Sequence, residues 1–263
     1  MDKIYHFSAP GRTEIGGNHT DHQHGCVIAA AVDMTTTAEV RLNGTNVIRV
    51  DSEGYKPVEI GLNDLSVKES EKNTTAALIR GVAAAFQQRG YKLSGFDAKV
   101  KSTVLPGSGL SSSAACEVLL GVIENHLFCG GALDPVTIAR MGQKAENVYF
   151  GKASGLMDQT ASSVGGVVAI DFAEPSAPMV RPLRVDLDAL GYALCIIDSG
   201  ADHADLTPEY DAIPREMREV AACFGKTVLR EVEEADVLRE LPRLRKAVGD
   251  RAVLRALHFF ADD

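Results

Sequence analysis

The alternation of apolar and polar side chains predicts the strands of this chain. In residues 96–104, FDAKVKSTV, the first six side chains alternate between apolar and charged, which predicts a strand with one face turned to solvent. Segments 35–42, 165–172 and 192–198 also have the composition of strands. The last two are the more apolar, so we expect them to be the more buried.

Apolar side chains spaced three or four residues apart predict the helices. Residues 75–89 form one such pattern. Asp134 followed by Pro135 predicts the start of another helix, running to about Tyr149, because Asp caps helices well and Pro suits their first turn. From Pro208 onward the pattern is helical and highly charged.

This order of elements predicts an α+β fold, in which a mixed sheet packed with helices is followed by a helical segment. The stretch SGADHADLTP, residues 199–208, interrupts the pattern and predicts a domain boundary. We therefore predict one domain over residues 1–200 and the beginning of a second over residues 201–263.

The glycine- and serine-rich stretch LPGSGLSSSAACEV, residues 105–118, lies between a predicted strand and a predicted helix. Its glycines let backbone N–H groups approach a ligand, and the helix start adds unpaired donors and a partial positive charge. This arrangement suits a polyphosphate, although no GK[ST] of a Walker A loop follows. One alternative is an ordinary flexible loop with a serine cap. Another is a serine nucleophile, although the stretch lacks the G-x-S-x-G elbow.

Two further stretches are dense in polar chemistry. PGRTEIGGNHTDHQHG, residues 10–25, offers the donors and acceptors that a sugar requires. Its alternatives are a solvated turn, or a metal site using three histidines and Asp21, although the spacing fits no standard zinc pattern. ASGLMDQTASSVGG, residues 153–166, sets Asp158 among small residues, where it would deprotonate a hydroxyl or cap a short helix.

Charge and composition exclude several classes of protein. The chain of 263 residues has a net charge of −9 and a pI near 5.3, which argues against a nucleic-acid partner. It has no apolar run of membrane-spanning length and no secretory signal at its N-terminus, so we expect no membrane partner and a cytoplasmic location. Its five scattered cysteines have the pattern of reduced thiols.

Three motifs in order resemble the GHMP kinase superfamily and, within it, the galactokinase family. GRTEIGGNHTD is similar to the family signature, usually Gly-Arg-Val-Asn-Leu-Ile-Gly-Glu-His-Thr-Asp. LPGSGLSSSAA resembles the superfamily's phosphate loop, and GLMDQ resembles the segment that carries its catalytic aspartate. The resemblance implies a GHMP kinase N-terminal domain followed by the helical start of a truncated C-terminal domain.

The resemblance also implies a site for ATP, Mg²⁺ and a small sugar, with galactose expected. Asp158 would be the base or orienting carboxylate for the sugar 1-hydroxyl, and Arg12 would neutralise nearby charge. Ser113 and Glu146 would hold Mg²⁺. The phosphates would lie on Gly107, Ser108, Gly109, Leu110, Ser111, Ser112 and Ser113. The sugar contacts would be Asn18, His19, Asp21, Gly155 and Tyr210.

Two departures from the family pattern keep other functions open. Asn18 stands where the family usually has a sugar-binding glutamate, and an amide donates as well as accepts. The chain also stops before the C-terminal domain and its third glycine-rich motif, so we expect exposed apolar surface. A kinase for another sugar or sugar derivative, and a non-catalytic sensor of sugar and ATP, are the alternatives to galactose phosphorylation.

Overall fold

The structure, a computed structural model, describes residues 3–105, 107–152, 154–197 and 207–263, without the side chains of residues 207, 208 and 210. Contacts between Cα atoms divide the chain into two compact units. The first contains residues 1–13 and 30–166, and the second contains residues 14–29 and 167–263. The domain boundary predicted at residues 199–208 stays a prediction, because residues 198–206 lie outside the described part of the chain.

Among the described residues, five strands belong wholly or partly to the first unit. They are β1 (Tyr5–Gly16), β2 (Cys26–Leu42), β3 (Val47–Ser52), β4 (Val58–Gly61) and β5 (Phe96–Ser102). Their order is β4-β3-β5-β2, with β1 also paired to β2. β3 runs parallel to β5, whereas β5 runs antiparallel to β2 with Ala98 opposite Val40. The strand predicted over residues 96–104 is confirmed at 96–102.

The described part of the first unit contains four α-helices. They are α1 (Thr75–Gln88), α2 (Ser112–Cys129), α3 (Pro135–Lys144) and α4 (Met157–Val164). The core joins Phe86 of α1, Phe96 of β5, and Leu119 and Ile123 of α2, all fully buried. Burying side chains of this size stabilises the fold by about 1.5–3 kcal/mol each. The helix predicted over residues 75–89 is therefore confirmed at 75–88.

The start of α3 has the predicted cap. The Asp134 carboxylate accepts hydrogen bonds from the backbone N–H and the hydroxyl of Thr137, at 3.0 and 2.6 Å, and Pro135 occupies the first turn. The α-helical part ends at Lys144 instead of continuing to Tyr149. Residues Ala145–Phe150 form a wider π-helical turn that is continuous with it.

The second unit contains an antiparallel pair of strands and the C-terminal helices. The strands are β6 (Val167–Asp171) and β7 (Met179–Leu183). The helices are α5 (Thr207–Ala222), α6 (Glu234–Arg239), α7 (Leu241–Val248) and α8 (Asp250–Asp262). Met217, Leu229, Leu244 and Phe259 are among the buried side chains of its core. The helical segment predicted after Pro208 is confirmed.

The strand predicted over residues 192–198 is wrong for its described part. Residues 192–197 have no regular structure, and the side chains of Tyr192 and Ile197 are 69% and 88% exposed. An apolar run predicts a strand only where a neighbouring strand completes its hydrogen bonds, and no described strand pairs with this segment. Among the described residues, the helices are all too short or too polar to span a bilayer.

Candidate active site

The loop before α2 presents open backbone to a ligand. Gly107 and Gly109 both have φ of +75°, and Ser111 has φ of +57°. Glycine adopts these left-handed values at little cost, and a Cβ at either glycine would have only its chain neighbours within 4 Å. α2 begins at Ser112, so the first N–H groups of this helix have no acceptor within it. The loop therefore has the donors and the open face that an anion requires.

The remaining residues of the loop anchor it. The Ser108 hydroxyl donates to the Leu105 carbonyl oxygen at 2.6 Å, which closes a turn. The Leu110 side chain is buried beside Val104, and its carbonyl oxygen accepts the backbone N–H of Arg12 at 3.0 Å. Ser112 is half-buried at the first position of the helix. The loop is therefore tied to strand β1, which carries Arg12.

Arg12 and Asp158 form a bidentate ion pair. Arg12 Nε donates to Asp158 Oδ1 at 2.7 Å, and Nη2 donates to Oδ2 at 2.6 Å. The third guanidinium nitrogen, Nη1, donates to the carbonyl oxygen of Gly109 in the loop. The side chain of Arg12 is 9% exposed and that of Asp158 is 24% exposed. One buried cation thus joins the carboxylate to the glycine-rich loop. Hydrogen bonds between a guanidinium and a carboxylate are stronger than those between neutral groups.

Asp158 is the second residue of α4 and does not cap it. The N-cap position belongs to Leu156, so the alternative role of Asp158 as a helix cap is wrong. A carboxylate in the first turn is still favoured by the partial positive charge of the helix start. Gly155 lies in the exposed loop immediately before this helix. Asp158 therefore combines a partly exposed carboxylate with a fixed orientation.

Glu146 lies in the π-helical turn that follows α3. Its side chain is buried, and its Oε1 accepts the hydroxyl of Ser113 at 3.0 Å and the Lys152 ammonium at 3.3 Å. Turns of this kind are rare and often occur at functional sites. The sequence predicted Glu146 only through the resemblance, because a helical period does not distinguish a π turn from an α turn.

Two buried polar residues of this region were not predicted from the sequence. Gln159 Nε2 donates to Glu117 Oε2 and to Glu146 Oε2, both at 2.9 Å. Burial, followed by the nearby charge of Glu146, raises the pKa of Glu117 well above its usual range. A polar residue at an otherwise apolar helix position was the available signal for Glu117 on α2.

The signature turn, residues 14–24, belongs to the second unit. Glu14 Oε1 accepts the backbone N–H of His19 at 2.7 Å, and its other oxygen lies 3.6 Å from His19 Nε2. Asn18 and His19 both have left-handed backbone conformations and exposed side chains. Asp21 is half-buried in the short 3₁₀ helix Thr20–Gln23. Glu14 thus supports the turn that displays Asn18 and His19.

The histidines of this stretch do not form a metal centre. In the part of the chain that the structure describes, no three His, Cys, Asp or Glu side chains come close enough to hold a metal ion together. Burial, with the charges of His19 and Arg218, lowers the pKa of His22 to about 4, and its buried Nδ1 has no partner among the described residues. His22 is therefore a neutral, half-buried residue at pH 7.

Tyr210, the remaining predicted sugar contact, lies on α5. Its side chain is outside the described residues, so its proposed role rests on the sequence alone.

Two family models and several curated proteins match this chain. The family model described as the galactokinase galactose-binding signature matches residues 2–42, and the GHMP kinases N-terminal domain matches residues 77–166. A galactokinase of Streptomyces coelicolor is 36% identical over 98% of this chain, and one of Streptomyces lividans is 35% identical over 96%.

This chain belongs to the galactokinase family of GHMP kinases. The crystal structure of Lactococcus lactis galactokinase complexed with galactose superposes with a TM-score of 0.79, covering 99% of this chain and 67% of that chain at 24% identity. The GHMP kinase fold predicted from the sequence is therefore confirmed. The chain spans 66% of the length of the S. coelicolor galactokinase and 62% of the S. lividans one.

Proposed function

We propose that the protein containing this chain transfers the γ-phosphoryl group of ATP to the 1-hydroxyl of galactose. The observation that carries this proposal is the Arg12 guanidinium, which binds both oxygens of Asp158 and the carbonyl of Gly109 in the loop. Arg12 thereby holds the Asp158 carboxylate, which would bind the sugar hydroxyl, next to the loop that would bind the phosphates. Phosphoryl transfer depends mainly on such positioning and on positive charge.

The proposed reaction assigns one task to each group. Asp158 orients the 1-hydroxyl and accepts its proton, and the resulting oxygen attacks the γ-phosphorus. The bond between the γ-phosphorus and the β,γ-bridging oxygen breaks, so ADP leaves and galactose 1-phosphate forms. Arg12 keeps Asp158 oriented and adds positive charge beside the loop. The N–H groups of residues 107–113 hold the phosphates, and we assign Asn18, His19, Asp21, Gly155 and Tyr210 to the sugar.

The oxygens of Ser113 and Glu146 fit a Mg²⁺ ion. They lie 3.0 Å apart, close to the spacing of adjacent ligands around an octahedral ion whose bonds are about 2.0–2.1 Å long. Mg²⁺ usually takes only one or two protein oxygens and completes its shell with phosphates and water, so two are enough. When bound, the ion would neutralise charge on the phosphates. Ser113 and Glu146 would hold it beside the start of α2.

The proposal is tested by measuring ADP release from the protein with a panel of sugars. We expect galactose to give the highest kcat/KM and Mg²⁺ to be required. A panel in which no sugar stimulates ADP release would contradict the proposal. Asn18 favours a second candidate function, phosphorylation of a different sugar. That sugar would be altered at the hydroxyl that the family's usual glutamate binds, and it would then give the highest kcat/KM in the same panel.

Ser113→Ala should weaken binding of Mg²⁺–ATP by more than it weakens binding of galactose. The variant removes an oxygen proposed to hold Mg²⁺ and leaves Glu146 without one of its partners. Calorimetric titration with each ligand measures both affinities. Ser66→Ala is a matched control, because the exposed hydroxyl of Ser66 also donates to a carboxylate, that of Asp64. Equal losses for both ligands would indicate a folding defect instead.

Asn18→Glu should tighten binding of galactose about five-fold. A carboxylate accepts a sugar hydroxyl more strongly than an amide does, by ~1 kcal/mol, because charge-assisted hydrogen bonds exceed neutral ones. The backbone at this position is left-handed, a conformation that asparagine adopts more readily than glutamate or glutamine, so Asn18→Gln carries the same backbone cost as Asn18→Glu. The measurement is the galactose affinity of each protein, with Asn18→Gln as the uncharged control.

Weaker galactose binding by Asn18→Glu would have a different meaning. It would point to another sugar as the true substrate, one with an acceptor that the amide N–H₂ of Asn18 reaches and the new carboxylate repels. Affinity for that sugar would then fall in Asn18→Glu, most at pH values where the carboxylate is charged. That result would contradict galactose as the substrate and favour the second candidate.

A further inference from the structure

A buried amide links two carboxyl groups beneath the phosphate loop. Gln159 Nε2 donates one hydrogen bond to Glu117 Oε2 and one to Glu146 Oε2, each 2.9 Å long. The side chains of Gln159 and Glu117 are fully buried, and Glu146 is 2% exposed. An amide nitrogen carries two hydrogens, so these two bonds use its whole capacity.

The two oxygens of Glu146 have separate partners. Oε1 accepts the hydroxyl of Ser113 at 3.0 Å and the Lys152 ammonium at 3.3 Å. Oε2 accepts only the Gln159 amide among the partners found in the described residues. Rotation of the carboxylate would therefore break bonds on both sides. The bond from Gln159 therefore fixes the plane of the carboxylate that faces Ser113.

Glu117 in turn fixes the amide of Gln159. Its Oε2 accepts the second N–H, while its Oε1 is buried without a partner in the described part of the chain. The packing leaves little freedom here, because a Cβ added to Gly142 would lie 3.1 Å from Glu117 Cβ and 3.2 Å from Glu117 Oε2. Because Glu117 Oε2 has little room to move, it fixes the orientation of the Gln159 amide. The amide in turn fixes the orientation of the Glu146 carboxylate.

We propose that Gln159, anchored by Glu117, is a positioning residue that orients Glu146 toward Ser113 and thereby sets the affinity of the site for Mg²⁺ with ATP. This inference rests on the proposed function, since it concerns the pair of oxygens assigned there to Mg²⁺. Neither Gln159 nor Glu117 touches the substrates in this role. Partners that orient a metal ligand commonly change metal affinity 10- to 100-fold when they are removed.

Two variants of Gln159 test the positioning role. Gln159→Met has a similar length and no donor, whereas Gln159→Asn keeps the amide and is one carbon too short to reach both carboxyl groups. For each protein, ATP affinity is measured by calorimetry with Mg²⁺ and with EDTA. We expect both variants to lose about 10-fold or more of the Mg²⁺-dependent gain in ATP affinity. ATP binding in EDTA and galactose binding should stay within two-fold of wild type.

Kinetics give a second readout that a purely structural role would not produce. The Mg²⁺ concentration for half-maximal velocity should rise about 10-fold or more, and saturating Mg²⁺ should restore most of kcat. Glu117→Gln keeps an acceptor oxygen and should behave like wild type, whereas Glu117→Leu should resemble Gln159→Met. Thermal unfolding of every variant shows whether it folds, and Gln159→Asn remains a test if Gln159→Met does not.

The outcomes separate this inference from the proposed function. If the wild-type protein binds neither ATP nor sugar, the proposed function itself fails. If the wild type is a Mg²⁺-dependent kinase and the folded Gln159 variants keep its Mg²⁺ dependence, the positioning role alone is overturned. Equal losses in EDTA and in Mg²⁺ would also overturn it, because they would show a general defect of the loop.

Discussion

Asp158→Asn is expected to lower turnover about 10²- to 10⁴-fold, the range typical for loss of a general base. The asparagine keeps the shape of the side chain but does not accept the proton of the sugar hydroxyl. Its oxygen still accepts one hydrogen bond from Arg12, and its N–H₂ faces the second guanidinium nitrogen in place of the 2.6 Å bond. ATP binding should survive, because the loop residues are unchanged.

The measurement is kcat from ADP release, combined with ATP affinity from calorimetry. Asp134→Asn is the matched control: it changes another aspartate at a helix start, one that caps α3, and asparagine caps about as well as aspartate. The control should keep wild-type turnover. Near-normal turnover in Asp158→Asn would remove Asp158 from the mechanism.

Local patterns predicted the helices α1, α2 and α3 because each has a local cause. The apolar face of residues 75–89 packs in the core, and α2 ends at Gly130, whose φ of +63° suits glycine. The cap at Asp134 depends on a residue only three positions away. Such features lie within one or two turns of the chain, which is the range that periodicity and capping rules cover.

Segments whose conformation depends on distant partners were predicted less well. The signature stretch has the glycines and polar side chains of a turn, yet residues up to Gly16 belong to strand β1. β2 begins at Cys26, well before the segment 35–42 that alternates in the sequence. Pairing between β1 and β2 overrides the low strand propensity of glycine and proline.

The candidate site shows the same limit. Arg12 and Asp158 are 146 residues apart, and only the resemblance placed both in one site before their ion pair was seen. The resemblance contained no role for Gln159 or Glu117, whose importance comes from contacts across 42 and 13 residues. Spacing along the chain carries no information about contacts of that kind.

Glu124→Gln is expected to stabilise the protein increasingly as the pH rises. Glu124 lies on α2 with no exposed surface, and both its oxygens are buried without partners among the described residues. Burial therefore raises the pKa of its carboxyl well above the usual range. In the unfolded state the pKa of this carboxyl is about 4.3. Below that pH the carboxyl is protonated in both states, so its ionisation does not change the free energy of unfolding.

Above that pH, the unfolded state ionises while the folded state does not. The unfolded state is thereby favoured, and the stability of the wild type falls until the pH passes the raised pKa of the folded state. Glutamine does not titrate, so the difference in unfolding free energy between variant and wild type should grow by about 1.4 kcal/mol per pH unit from pH 5 upward. Glu117 contributes equally to both proteins and cancels in this difference.

Denaturant unfolding at pH 5, 6 and 7 measures the difference. Glu124→Met, which also removes the unpartnered oxygens, should add a further gain of about 1–3 kcal/mol that does not change with pH. Glu39→Gln is the control, because Glu39 is an exposed residue of β2 opposite Lys99 and should show no such slope. A difference between Glu124→Gln and wild type that stays constant from pH 5 to 7 would mean that Glu124 is ionised in the folded protein. In that case a group packed around Glu124 would pair with its charge. Glu124→Met would leave that group unpaired and would therefore be less stable than wild type.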